Sequence, residues 1–142
     1  MDRRHPHRSA RPLVLVVDQH DDTRELYLQS LLASGFDAVG AADGQQACRR
    51  ARESRLGVVV LDLPRHDDDG WQLLQDLRRA ARARYLPVVL IAAHAAPSLR
   101  DRAQRERCAA FFVKPCLPDE LASELRQIVD RTPVYEGLST SC

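Results

Sequence analysis

The feature that most constrains this chain is an alternation. Short, continuous, β-branched apolar runs recur every twenty to thirty residues, and each is followed by a longer stretch with helical spacing. Leu13–Val17 reads Leu-Val-Leu-Val-Val, and Gly57–Leu61 contains Val-Val-Val-Leu; Pro87–Ala92 and Ala109–Val113 repeat the pattern, while Phe36–Gly40 is a weaker member. A run that is apolar at consecutive positions suits a strand covered on both faces, since a strand with one wet face would alternate with polar residues. Between these runs, Asp21–Ser34 carries Leu26, Leu28, Leu31 and Leu32 near helical spacing, and Gly35 supplies a stop. Asp43–Arg55 offers Ala47 and Ala51, Gly70–Ala83 offers Trp71, Leu74 and Leu77, and Pro97–Arg107 is Arg-rich. Pro118–Val129 closes the series with Leu121, Leu125, Ile128 and Val129. Five strands alternating with five helices predict an α/β chain: a five-stranded parallel sheet with right-handed crossovers and helices on both faces.

Composition narrows the function classes. The 142 residues suit one domain, expected over 12–131, with a basic arm at 1–11 and a loose tail at 132–142. Basic and acidic side chains number 21 and 20. That balance argues against direct nucleic-acid binding, which favours a basic excess on one face. No apolar stretch is long enough to span a bilayer, and the Arg/His-rich start does not read as a secretory signal. The cysteines Cys48, Cys108, Cys116 and Cys142 form no C-x-x-C pair, so a cytoplasmic chain with free thiols is expected. One Lys, Lys114, stands among twenty Arg.

Parallel sheets place their chemistry at the carboxyl ends of strands. No Gly-rich phosphate loop follows the first strand; Asp18, Gln19, His20, Asp21 and Asp22 stand there instead. Asp62 follows the third strand, with Asp67, Asp68, Asp69 and Gly70 closing the next loop, and Lys114 follows the fifth. Two carboxylates at converging strand ends suit Mg2+, a hard cation that takes oxygen ligands. A carboxylate beside a metal and an ammonium can accept a phosphoryl group, because the cations offset charge on the transferring oxygens. Taken singly, each of these acids is more often a solvated loop residue; their joint placement at three strand ends is what favours a site.

The order Val-Leu-Val-Val-Asp (14–18), Asp43-Gly44, Val-Val-Leu-Asp (59–62), Asp69-Gly70, Leu86-Pro87-Val-Val and Lys114-Pro115 resembles a response-regulator receiver domain over residues 11–131. The resemblance implies a flavodoxin-like three-layer sandwich with strand order 2-1-3-4-5. It implies that Asp62 accepts a phosphoryl group from a histidine kinase or phosphotransfer protein, that Lys114 contacts that group, and that Asp18 and Asp62 help to hold Mg2+. The backbone carbonyl of Pro64 falls at a metal-ligand position, and Gln19 stands where the family has a second acid. An amide is a weaker ligand for Mg2+, so weak binding is expected; Asp21 or Asp22 could compensate only from an unfavourable offset, and the imidazole of His20 is a poor ligand for that ion.

Other departures concern signalling. Ala92 replaces the Thr or Ser whose hydroxyl engages the phosphorylated Asp, and Phe111 replaces the coupled aromatic without supplying a hydroxyl. Pro64 and His66 exchange the usual loop pattern, and Arg107 stands where a Gly commonly follows helix four, with the expectation that it extends or re-routes that helix end. The reading is a stand-alone or excised receiver that is phosphorylated on Asp62 and signals by protein–protein contact, and that is not an enzyme beyond its own phosphoryl transfer. A degenerate receiver serving as a phosphorylation-independent binding module is the alternative, and a Mg2+-dependent phosphatase-like enzyme a minor one, disfavoured for want of a cap over the cleft. Partner contact is expected around helices four and five, at Arg100, Arg102, Arg105, Asp119, Glu120 and Glu124, and a homodimer through this face is compatible with the same pattern. An ordinary solvated helix surface has the same composition.

Overall fold

A computed structural model describes residues 11–63, 67–81 and 85–131. Its order is β1 (Leu13–Val17), α1 (Asp21–Ala33), β2 (Asp37–Ala41), α2 (Gly44–Glu53), β3 (Val58–Asp62), α3 (Asp67–Ala80), β4 (Val88–Ala92), α4 (Pro97–Arg105), β5 (Ala110–Val113) and α5 (Pro118–Arg131). The strands form one parallel sheet of order β2-β1-β3-β4-β5. This is the flavodoxin-like arrangement expected from the alternation. The expected arm up to residue 10, Pro64 and His66 with their expected roles, and the expected tail from 132 lie outside the described residues.

The apolar strands are buried because their successive side chains feed two separate cores. Leu15, Val17, Val59, Leu61, Val88 and Leu90 point to one face, where Ala47 and Ala51 of α2, Trp71, Leu74 and Leu77 of α3, and Leu99 and Ala103 of α4 cover them. Val14, Val16, Val58, Val60, Val89 and Ile91 point to the other, under Tyr27 and Leu31 of α1 and Leu121, Leu125 and Ile128 of α5. All five residues of β4 are buried, while the edge strands β2 and β5 are only partly covered. The β-branched runs of β1, β3 and β4 are thus the inner strands, whereas β5, equally apolar in sequence, lies at an edge.

Several boundaries move, for physical reasons. The apolar face of α1 is Tyr27 and Leu31, whereas Leu26 and Leu32 of the expected stripe are about half exposed. Tyr27 takes the inner position because its hydroxyl donates to the Cys116 carbonyl at 2.7 Å, which settles a buried polar group. Helix α3 begins at Asp67, a turn before the expected Gly70. Asp69 lies in its first turn, where the positive end of the backbone dipole favours an acidic residue. Helix α2 starts one residue later than expected because Asp43 is its N-cap, accepting from the Gln46 backbone N–H at 2.9 Å.

Helix α4 does not run on through Arg107. It ends at Arg105, and Arg107 takes a positive φ of 60°. The Cys108 N–H donates to Ala103 O and the Arg107 N–H to Gln104 O, each at 3.0 Å, which is the paired bonding of a Schellman stop. Helix α1 ends in the same way: Phe36 N–H donates to Leu31 O and Gly35 N–H to Leu32 O, with Gly35 at φ 99°. The two stops differ only in the residue asked to adopt the left-handed turn. Among the described residues, no helix is long and apolar enough to cross a membrane.

Candidate phosphoryl and metal site

Three backbone hydrogen bonds decide which side chains meet above the sheet. Asp18 N–H donates to Ala41 O at 3.0 Å, Leu63 N–H to Ile91 O at 2.8 Å and Lys114 N–H to Ala92 O at 2.8 Å. Each carries the ladder just beyond a strand end, so β1, β3 and β5 deliver their next side chains at one level. Asp62 itself is the last residue of β3, paired with Ile91.

Asp18, Asp62 and Lys114 are brought together as the sequence suggests. The Lys114 Nζ lies 2.8 Å from Asp62 Oδ1. One carboxylate oxygen of Asp18, one of Asp62 and a ring nitrogen of His20 all lie within 4.8 Å of one another. Asp18 is only 4% exposed. Its Oδ1 accepts from the His20 backbone N–H at 2.8 Å, and the His20 ring Nδ1 is 3.3 Å from the same oxygen. Arg24 of α1 donates to the Asp18 carbonyl at 2.8 Å and pairs with Asp21 at 2.7 Å. That guanidinium therefore pins the loop from both sides, leaning across Gly40, where a Cβ would come within 2.9 Å of the Arg24 Cδ.

Burial pushes the Asp62 carboxyl above the usual range; the neighbouring Lys114 ammonium pulls it down, and the Asp18 charge pushes it up again. Oδ1 is buried, and although the Lys114 ammonium is close, no well-aligned hydrogen bond reaches that oxygen. A buried, under-satisfied carboxylate oxygen beside a second carboxylate is a donor set suited to a divalent cation. The two carboxylates can thus hold a divalent cation, and the imidazole of His20 adds a nitrogen to their oxygen donors. Gln19 is exposed and lines the neighbouring cavity; Asp21 and Asp22 are exposed on α1 and do not join the cluster among the described residues.

That cavity, about 600 Å³, runs from Asp18 and Asp62 between α2 and α3, past Asp43, Asp69 and Asp76 to Cys48 and Arg52. Burial raises the thiols of Cys48, Cys108 and Cys116, the second to about 11, so the described cysteines are protonated, unreactive side chains near neutral pH.

The β4–β5 side differs. Ala92 is 2% exposed and offers no donor. Phe111 is half-buried against the α2–α4 core, with the Arg100 guanidinium 5.0 Å from its ring centre. Arg102 lies 4.9 Å from the Trp71 ring and pairs with Glu106 at 2.8 Å. Two of the three helix-four arginines expected at a partner surface are therefore engaged within the domain. His20, a poor ligand for Mg2+, nonetheless stands with Asp18 and Asp62 at the strand ends. The signal was the Asp-x-His spacing at a strand-to-helix turn, which folds the ring back over the aspartate.

Residues 14–126 match the family model described as the response regulator receiver domain. The chain is 34% identical over 119 residues to the response regulator Rre1 of Synechocystis, a match covering 83% of this chain and 52% of that protein. It is 33% identical over 122 residues to the transcriptional regulatory protein PrrA of Mycobacterium tuberculosis, covering 84% of this chain and 51% of that one. It thus spans about half the length of these relatives. In fold it is similar to the chemotaxis protein CheY4 of Vibrio cholerae, with a TM-score of 0.76 at 23% identity, over 84% of this chain and 99% of that one.

Proposed function

The chain belongs to the response regulator receiver domain family of two-component systems, and from that premise we propose that Asp62 accepts a phosphoryl group from a phosphohistidine on a histidine kinase or phosphotransfer protein. One observation carries this reading: the Lys114 ammonium 2.8 Å from a buried Asp62 oxygen, with the Asp18 carboxylate alongside. The carboxylate attacks phosphorus, the new O–P bond forms as the N–P bond breaks, and the imidazole leaves with the electron pair and takes a proton. Lys114 balances charge on the transferred oxygens as they approach. Asp18 and Asp62 would hold the divalent cation, with Gln19 and the Pro64 carbonyl as the remaining ligand positions of the reading. A bound cation supplies charge neutralisation between the two anionic reactants.

Burial limits the solvation of Asp62, and the neighbouring Lys114 ammonium favours its ionised, nucleophilic form. Output runs by protein contact in this reading. Arg105, Asp119 and Glu120 remain exposed for it on the α4–α5 side. Ala92 favours a second reading, a binding module that does not depend on phosphorylation, because the buried strand end lacks the hydroxyl that would engage the phosphoryl group.

Incubation with acetyl phosphate and Mg2+, followed by intact mass, separates the two. A single added phosphoryl group that vanishes in Asp62→Asn supports the first reading. No adduct with a small donor or with a phosphorylated histidine protein overturns it in favour of the second.

A further inference from the structure

The donor set at the strand ends is not the all-oxygen set that a hard cation prefers. It comprises one oxygen from Asp18, one from Asp62 and the Nδ1 side of His20, mutually within 4.8 Å. Two features make this a built arrangement. The turn from β1 into α1 is tied down, since the His20 N–H donates to Asp18 Oδ1 and Arg24 holds the Asp18 carbonyl. Independently, Asp62 Oδ1 is buried, with the Lys114 ammonium 2.8 Å away as an ion pair but no aligned hydrogen bond, and its side chain is only 10% exposed. The acid that would complete an oxygen-rich shell is missing, because Gln19 carries no charge.

We propose that His20, Asp18 and Asp62 form a mixed nitrogen–oxygen site that selects a borderline divalent transition cation, Zn2+ or a neighbour in its row, over Mg2+. The argument is one of ligand softness. Imidazole suits zinc, iron, nickel and copper ions, whereas magnesium demands oxygen and gives up water reluctantly. Replacing a carboxylate by an amide weakens the hard-ion site, and adding an imidazole strengthens the borderline one, so both changes move selectivity in the same direction. His20 is the N-cap of α1 yet makes no side-chain capping bond, which leaves its ring for the cleft. Its side chain is 61% exposed, so a ring that turns from Asp18 to a metal has room to do so.

The inference rests on the reading that Asp18 and Asp62 hold the divalent ion, and its test is separable from that of phosphorylation. The full chain is titrated calorimetrically with Zn2+ alone and with Mg2+ alone, beside His20→Asn, which keeps a good N-cap residue and exchanges the ring nitrogen for an oxygen donor. The expected result is that the ratio of Zn2+ to Mg2+ affinity falls at least roughly tenfold in the variant, the loss that even an outer partner of a metal ligand produces. The nitrogen resonances of the His20 ring should also move on adding Zn2+. A ratio changed by less than about threefold, well short of that loss, overturns the proposal. So does zinc held by His5 and His7, which leaves the His20 ring resonances in place. Failure of the phosphoryl reading looks different: no adduct on Asp62 with either cation, whatever the affinity ratio.

Discussion

At the ends of β1, β3 and β5 the molecule gathers Asp18, Asp62 and Lys114, all charged and two of them in contact at 2.8 Å. At the end of β4 and within β5 it places Ala92 and Phe111, neither of which carries a hydrogen-bonding side chain. In the proposed reading the first group serves phosphoryl transfer, and the second is where a phosphoryl group would be sensed. These two regions share one sheet, yet only the first presents charged side chains and is the better equipped. On that reading, chemistry and its readout are separable sets of residues.

The sharpest way to break that comparison is to disarm the equipped half. In Lys114→Met the transferring oxygens lose their fixed cation. The rate of Asp62 phosphorylation by acetyl phosphate should fall by about 100-fold or more, the scale for losing one preorganised charge stabiliser. A time course of intact mass measures it, and a rate within threefold of the parent would show that Lys114 does not act on the phosphoryl group.

The converse is to equip the other half. Ala92→Thr returns a hydroxyl to the β4 end. Because the site is buried, the extra atoms cost packing energy, so the parent and variant are each compared with and without the phosphoryl group. The gain specific to the phosphorylated form should approach about 1.5–3 kcal/mol, the range for a hydrogen bond to a charged partner. Melting curves on the four species give it by difference. Equal gains in both forms would place the hydroxyl away from Asp62.

A smaller effect concerns pH. Asp62 holds its proton more tightly folded than unfolded, since burial and Asp18 together outweigh Lys114. Its folded pKa is therefore raised, and the stability associated with the protonated group is lost as pH rises through that value. Asp62→Asn has nothing to ionise there. The variant should melt a few degrees above the parent at neutral pH, and the gap should close as pH falls below the ordinary carboxylate range. The Lys114 side chain is 39% exposed and returns to water when its partner is neutral, so it adds little against this trend. A gap that is constant with pH would contradict the assignment.

How far all this was legible in the sequence depends on the physics of each signal. Continuous β-branched runs such as Val58–Leu61 suit inner strands because both faces are covered, but Ala110–Val113 is as apolar and lies at an edge, so strand order followed from the resemblance and not from the runs. Asp18, Asp62 and Lys114 were legible because strand ends are the natural meeting point in a parallel sheet. The face of α1 was not, since Leu26, Tyr27, Leu31 and Leu32 are all apolar and only the Tyr27 bond to Cys116 breaks the tie. The engagement of Arg100 and Arg102 with Phe111 and Trp71 was hidden too, because a cation over a ring is a tertiary contact with no local spacing. His20 was visible beside Asp18, but the approach of its ring to Asp62 depends on the tertiary meeting of β1 and β3.

The less equipped half carries a further departure, and it yields the smallest prediction. Arg107 performs at the end of α4 what Gly35 performs at the end of α1, with the same pair of carbonyl contacts but a Cβ in the left-handed region. That conformation costs a residue with a side chain roughly 1–2 kcal/mol, and glycine returns part of the gain as extra freedom in the unfolded chain. Arg78 donates to the Arg107 carbonyl, a backbone group, so this contact survives the substitution. Arg107→Gly should therefore stabilise the domain by about 0.5–1 kcal/mol in urea unfolding, with an unchanged slope. The reciprocal Gly35→Arg should lose more than that, since a Cβ at Gly35 would also sit 3.0 Å from the Arg126 guanidinium. If the two substitutions move stability in the same direction, the two helix stops are not equivalent, and the α4–β5 half is held by something other than its turn.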